Sequence, residues 1–98
     1  MSEQVQELMY KGKPLVRSGS TLYYGSMADP YVVKMEIKST EKVKELDVAG
    51  QVSVQLMSTD PNVRPRKRII KSGERDGLAN ALDVAAFWLE RALNEAAN

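Results

Sequence analysis

The stretch that most constrains this chain is its last one, residues 77–96, the one long segment with a clear helical period. At about 100° per residue, its apolar residues fall on one stripe and polar residues occupy the opposite side. The stripe contains Leu78, Leu82, Ala85, Ala86, Leu89, Ala92, Leu93 and Ala96. The pattern predicts one amphipathic helix that buries this stripe, beginning near Asp76, a residue type that caps helices.

The segments before this helix read as short strands separated by turns. A meander is predicted over residues 5–24, with strands in its first part, at 15–17 and at 21–24. The clearest alternation lies in residues 31–37, which turn Val33 and Met35 inward, and in residues 51–58. These two strands predict a long central hairpin.

Two segments are harder to assign. Residues 42–49 fit either an extension of the first hairpin strand or a short irregular cap, with a tight turn near 46–50. After Pro61 and Pro65, a short edge strand is predicted at 68–71. The fold class is therefore α+β, an antiparallel sheet of about four to six strands with one C-terminal helix packed on one face.

Size and composition indicate one small domain over residues 1–98. The 98 residues are 43% hydrophobic and 28% charged, as in a soluble globular chain. No apolar run approaches the length of a membrane span, and the N-terminus lacks the basic and apolar blocks of a signal peptide. A cytoplasmic location and no membrane partner are therefore expected.

The chain contains no cysteine and no histidine. Thiolate nucleophiles, histidine bases and the usual zinc or iron–sulfur ligands are thereby excluded. The glycines form no phosphate-binding motif, and none of the turn serines lies in an S-x-x-K element, namely Ser18, Ser20, Ser26 and Ser72. We expect no enzymatic activity, no cofactor and no metal, and the sequence indicates no particular small-molecule ligand.

A second, smaller apolar surface is predicted on the helix, formed by Val84, Phe87 and Trp88. Phe87 projects opposite the apolar stripe and Trp88 lies on its flank. These side chains either pack against the chain's own loops or form an interface, where aromatic residues concentrate. Five strands span about 20 Å and one helix covers about 10 Å, so roughly half of the apolar sheet face is expected to stay open. Both features favour a homodimer.

The most unusual local feature is a basic run, formed by Arg64, Arg66, Lys67, Arg68 and Lys71. It suits phosphate contacts, with Tyr23, Tyr24 and Tyr31 as stacking surfaces for single-stranded bases. The net charge of +1 and the shortness of the run instead favour a solvated loop. The function expected from sequence is a non-enzymatic domain acting through protein contacts, most simply a homodimer, with binding of RNA or single-stranded DNA through 64–71 as the alternative.

Overall fold

The structure is a computed structural model that describes residues 5–97, excluding the side chains of residues 5–7, 41, 43, 47 and 97. Residues 1–4, which belong to the N-terminal segment examined for a signal peptide, lie outside the described residues. Within that range the chain forms eight strands and two helices. They are β1 (Val5–Tyr10), β2 (Lys13–Ser18), β3 (Thr21–Tyr24), β4 (Tyr31–Ile37), β5 (Thr40–Val43), β6 (Leu46–Ala49), β7 (Gln51–Ser58), α1 (Pro65–Arg68), β8 (Ile69–Asp76) and α2 (Leu78–Ala97).

Six of the strands form one antiparallel sheet in the order β1-β2-β3-β4-β7-β8. Every neighbouring pair is antiparallel, and α2 packs on one face of the sheet, chiefly against β4, β7 and β8. The predicted α+β fold with an N-terminal meander, a central hairpin and one C-terminal helix is confirmed. The sheet has six strands, the upper limit of the predicted four to six.

Residues 42–49 belong to a separate two-stranded ladder, β5 paired with β6. It continues the central β4–β7 hairpin, because the Lys38 amide donates to the Gln51 carbonyl at 2.8 Å where the two ladders meet. The predicted turn near 46–50 is wrong. The chain turns at Lys44 and Glu45, whose φ angles of 49° and 68° are those of the hairpin turn that matches strand twist.

The core lies between the sheet and α2. Val33, Met35, Val52 and Val54 are fully buried, as their alternation predicts. On the helix, the stripe is rotated towards Trp88 relative to the predicted one, since Leu82 and Leu93 are only half-buried. The fully or nearly fully buried helix residues are Ala81, Ala85, Ala86, Trp88 and Leu89.

The helix begins at Leu78, two residues after the predicted start near Asp76, and the prediction that Asp76 caps it is wrong. Asp76 is the last residue of β8 and pairs with Gln51. The Gly77 carbonyl instead accepts the first helical hydrogen bond from Ala81, at 3.2 Å. The edge strand is longer than the predicted 68–71 because its pairing with β7 continues along almost the whole of that strand.

The helix side of the meander is closed within the chain at β2 and β3. Leu15, Leu22 and Tyr24 on β2 and β3 are all buried, whereas Leu8 on β1 is 53% exposed. The rings of Tyr10 and Tyr24 meet edge to face at 5.8 Å, and the Tyr10 hydroxyl reaches α2. For the described residues, the expectation that half of this face stays open is wrong, because large side chains on the meander reach the helix. Neither helix in the described range has the length and hydropathy to cross a membrane.

Candidate functional site

The structure separates the three residues of the predicted aromatic surface. Phe87 is 59% exposed, whereas Trp88 is only 8% exposed and belongs to the core. Val84 is half-buried and packs against the same core. Trp88 therefore packs against its own chain, and Phe87 is the member of the three that remains available to a partner.

Trp88 packs on β8, and the register of that strand explains how. Val54 of β7 pairs with Gly73, which places Gly73 on the helix side of the sheet with Lys71 and Arg75 two residues to either side. A Cβ atom on Gly73 would lie 3.4 Å from the Trp88 ring. The Lys71 ammonium lies 5.0 Å from the ring centroid and the Arg75 guanidinium 6.0 Å. The indole is thus set over bare backbone between two cations that its π-system attracts.

The outer face of α2 is centred on Phe87, which lies at the middle of the Leu78–Ala97 helix. Asp83 precedes Phe87 by four residues and Arg91 follows it by four, so all three share one helix face. Both charged residues are exposed. Asn80 and Asn94 lie at the next equivalent positions, seven residues away on either side. The face is therefore self-complementary about its midpoint.

Asp83 is also the contact between this face and the meander. Its Oδ1 accepts a hydrogen bond from the Tyr10 hydroxyl at 3.1 Å, while the Tyr24 hydroxyl donates to the Tyr10 carbonyl at 2.9 Å. Desolvation, followed by the hydrogen bond and charge of Asp83, raises the pKa of Tyr10. Desolvation, followed by Tyr10 and Glu90, raises the pKa of Tyr24. Both hydroxyls thus favour the neutral form that donates these bonds.

The predicted basic run is divided between different surroundings. Arg68 is held by its own loop, donating to the carbonyls of Val63 at 2.7 Å and Pro61 at 3.2 Å. Lys71 lies over Trp88. The remaining three cations, Arg64, Arg66 and Lys67, are exposed on and next to α1, and their side chains make no hydrogen bond or ion pair with the described residues.

Of the three tyrosines suggested for base stacking, Tyr31 lines a depression together with Ile70 of the 64–71 segment, and the other two do not join the run. Tyr24 is buried in the core and Tyr31 is packed against it. Tyr23 is exposed, but it pairs with Lys34 on the sheet face opposite the helix. Tyr24 is therefore unavailable to stack on a base, and Tyr23 lies three strands from β8 in the strand order.

Sequence reasoning missed a shallow groove of about 200 Å³ between β8 and the C-terminal half of α2. Leu56, Trp88 and Ala92 provide apolar lining, and Ile70 forms one wall. Lys71, Arg91 and Glu95 complete it. The groove arises from the bulge between Leu56 and Met57, which leaves Ile70 unpaired beside the helix. The alternation of residues in the sequence does not reveal this bulge.

No group of three carboxylates within residues 5–97 lies close enough together to hold a metal ion. No protein-family model, curated protein or solved structure matches the chain. Its function is therefore inferred from its own surfaces.

Proposed function

We propose that this chain is a small, cytoplasmic, non-enzymatic domain that acts through protein contacts as a homodimer, its two α2 helices packing antiparallel and crossing at Phe87. The observation that carries the proposal is the exposure of Phe87 at the midpoint of α2. Large aromatic residues are enriched at the centres of interfaces and are costly to leave in water. A two-fold dimer is also the commonest assembly of soluble chains.

The charges around Phe87 support a second copy as the partner. In an antiparallel crossing at Phe87, residues equally spaced on either side of it face each other. Asp83 of each copy then lies opposite Arg91 of the other, and the opposite-charge pair occurs twice. Asn80 likewise faces Asn94 of the other copy, and the two amides can exchange hydrogen bonds.

The contact is small, since one helix pair buries less than the roughly 1,600 Å² of a standard interface. We therefore expect a dimer that dissociates on dilution. Sedimentation velocity across a concentration series is the direct test. Phe87→Ala is expected to leave a folded monomer at concentrations where the wild type is dimeric. Leu46→Ala, which truncates an apolar side chain that is even more exposed, on the β5–β6 hairpin, is the matched control and should not change the mass.

The antiparallel arrangement has its own test. Arg91→Asp places like charges opposite each other and should weaken the dimer, and adding Asp83→Arg should restore it. Circular dichroism confirms that each variant is folded, because Asp83→Arg also removes the Tyr10 hydrogen bond. A dimer that survives Phe87→Ala would contradict the interface. A double variant that is no stronger than Arg91→Asp would contradict the crossing.

Nucleic-acid binding is the second candidate, favoured by the three cations on and next to α1 that have no partner in the described residues. Their number is small and no exposed aromatic side chain among the predicted tyrosines lies beside them. Fluorescence anisotropy with single-stranded RNA at low salt tests it directly. Binding that disappears in a variant with Arg64, Arg66 and Lys67 all changed to Gln would raise this candidate above the dimer.

A further inference from the structure

Strand β8 is the outer strand at one end of the sheet. Its residues are exposed, apart from the half-buried Gly73 that lies under Trp88. An outer strand of this kind presents backbone amides and carbonyls that have no partner in the sheet. Such an edge can be extended by another strand.

The hydrogen bonds of β7 show which groups of β8 face outward. The Gln51 carbonyl accepts from Lys38, and the Thr59 amide donates to Pro30, so the odd-numbered residues of β7 bond towards β4. Bonding alternates along a strand, and the even-numbered residues of β7 therefore bond to their partners in β8. Those partners are Arg75, Gly73 and Lys71. Ser72 and Glu74 consequently point their backbone N–H and C=O groups away from the sheet.

The side chains beside this edge favour an acidic ligand. Lys71 and Arg75 project on the helix side, flank Trp88 and are both exposed. The groove between β8 and α2 continues from them, with apolar lining from Leu56 and Ile70 and with Arg91 at its side. A depression with apolar lining, bordered by Lys71 and by the Arg91–Glu95 pair, lies next to the outward-facing backbone groups of Ser72 and Glu74. The Glu74 carbonyl accepts a hydrogen bond from the Arg75 guanidinium at 2.7 Å.

We propose that this edge binds an extended acidic segment of another protein, which adds to β8 as a further antiparallel strand. Backbone hydrogen bonds to Ser72 and Glu74 supply the pairing, as in other cases of strand addition, and a backbone amide of the ligand replaces the Arg75 guanidinium on the Glu74 carbonyl. Side chains of the ligand opposite Lys71 and Arg75 are acidic, and the one opposite Gly73 is apolar and contacts Trp88. Phe87 is not part of this surface, which shares Arg91 with the dimer contact, so strand addition does not require the dimer.

A second copy of the chain is a poorer occupant of the same edge. Antiparallel self-pairing centred on Gly73 would set Lys71 of one copy opposite Arg75 of the other. Self-pairing centred on Glu74 would set the two Glu74 side chains opposite each other. Directly opposite like charges destabilise a strand pair, whereas an acidic strand meets the cations with opposite charge.

The probe follows from the spacing of these residues. A blocked, fluorescein-labelled peptide Thr-Glu-Thr-Leu-Thr-Glu-Thr places its acids opposite Lys71 and Arg75 and its leucine opposite Gly73. We expect saturable binding by fluorescence anisotropy. The same peptide with lysine in place of glutamate should bind at least about tenfold more weakly. N-methylation of the amides that face β8 should abolish binding, and methylation of the alternate amides should not.

Charge reversal in the protein supplies a second test. Lys71→Glu with Arg75→Glu should weaken binding of the acidic peptide at least about tenfold and strengthen binding of the lysine peptide. Arg66→Glu with Lys67→Glu makes the same change in net charge on α1 and should have an effect of less than about threefold. Equal effects of the two double variants would overturn the proposal, since they would show attraction to overall charge.

Amide hydrogen exchange by NMR identifies the strand that is used. On peptide addition, the amides of Ser72 and Glu74 should become protected at least about tenfold. The amides of Gly73 and Arg75, already bonded to β7, should change little. Protection at the opposite edge strand β1, or no protection at all in the presence of saturating peptide, would overturn the assignment. Peptide-induced growth in particle mass would indicate self-pairing and would also overturn it.

Discussion

Gly25→Ala is the substitution that tests most directly how α2 is seated on the sheet. Gly25 follows β3 and has a φ of 110°, a backbone conformation that is strained for every residue other than glycine. A Cβ atom there would lie 2.9 Å from Leu89 Cδ2 and 3.6 Å from Val32 Cγ1. Leu89 is fully buried, so its methyl group has no space into which to move. The close approach of the two elements therefore depends on the missing side chain.

The expected cost combines two effects. A disfavoured backbone conformation costs about 1–3 kcal/mol, overpacking costs about 1–3 kcal/mol, and the lower entropy of the unfolded chain offsets less than about 1 kcal/mol. The net loss should be about 1–6 kcal/mol, to be compared with the roughly 5–15 kcal/mol typical of a small domain. Gly19→Ala is the matched control. Gly19 also has a positive φ, of 62°, but nothing lies within 4 Å of its added Cβ, so we expect a loss of about 1 kcal/mol or less.

Urea unfolding followed by tryptophan fluorescence measures both free energies. Leu89→Ala alone should cost about 2–5 kcal/mol. The double variant with Gly25→Ala should cost about 1–3 kcal/mol less than the sum of the single variants, because truncating Leu89 removes the overlap. Equal losses for Gly25→Ala and Gly19→Ala, or strictly additive losses in the double variant, would refute the close contact between β3 and α2.

Three further outcomes are expected. The pKa values of Tyr10 and Tyr24 are raised above 10.0, so the contribution of their neutral hydroxyls to stability is complete below pH 10 and falls as the pH rises further. Alkaline denaturation measures the loss of stability, and NMR titration of the rings measures the two pKa values. Trp88→Ala removes the one tryptophan and should destabilise the fold by about 3–5 kcal/mol in urea unfolding followed by circular dichroism, whereas a residue that served only a partner contact would leave stability unchanged. Arg66→Gln with Lys67→Gln should leave stability within about 0.5 kcal/mol in the same assay, and a larger loss would show that α1 stabilises the sheet.

The parts of the fold that the sequence predicts are those set by local periodicity. Val33, Met35, Val52 and Val54 alternate with polar residues and are buried as expected. The boundary at Asp76 was missed because it is set by pairing with Gln51, twenty-five positions earlier in the chain. An Asp residue is equally compatible with a helix cap and with the end of a strand, and only pairing with the neighbouring strand distinguishes the two.

The same reasoning explains the result at Trp88. A helical wheel places Trp88 on the flank of the apolar stripe, and whether that flank is buried depends on what lies beneath it. Gly73 in β8 lies beneath it, with Lys71 and Arg75 on either side. The basic run was likewise read as one feature because its residues are close in sequence. Alternation along β8 turns Lys71 towards the helix, and hydrogen bonds hold Arg68 in the loop.

The two proposed surfaces meet at Arg91, and this makes them dependent on each other. Arg91 lies beside Phe87 on the outer face of α2 and also lines the groove next to Trp88. Its guanidinium reaches Glu95 at 3.4 Å, and both side chains are largely exposed.

An acidic segment in the groove would draw Arg91 away from Asp83 of the second copy, so peptide binding should weaken the dimer. By linkage, dimerisation must weaken peptide binding by the same factor. The apparent peptide affinity should therefore fall as protein concentration rises through the dimer range, and Arg91→Gln should remove that dependence. An affinity that is independent of concentration in the wild type would show that Arg91 serves at most one of the two surfaces.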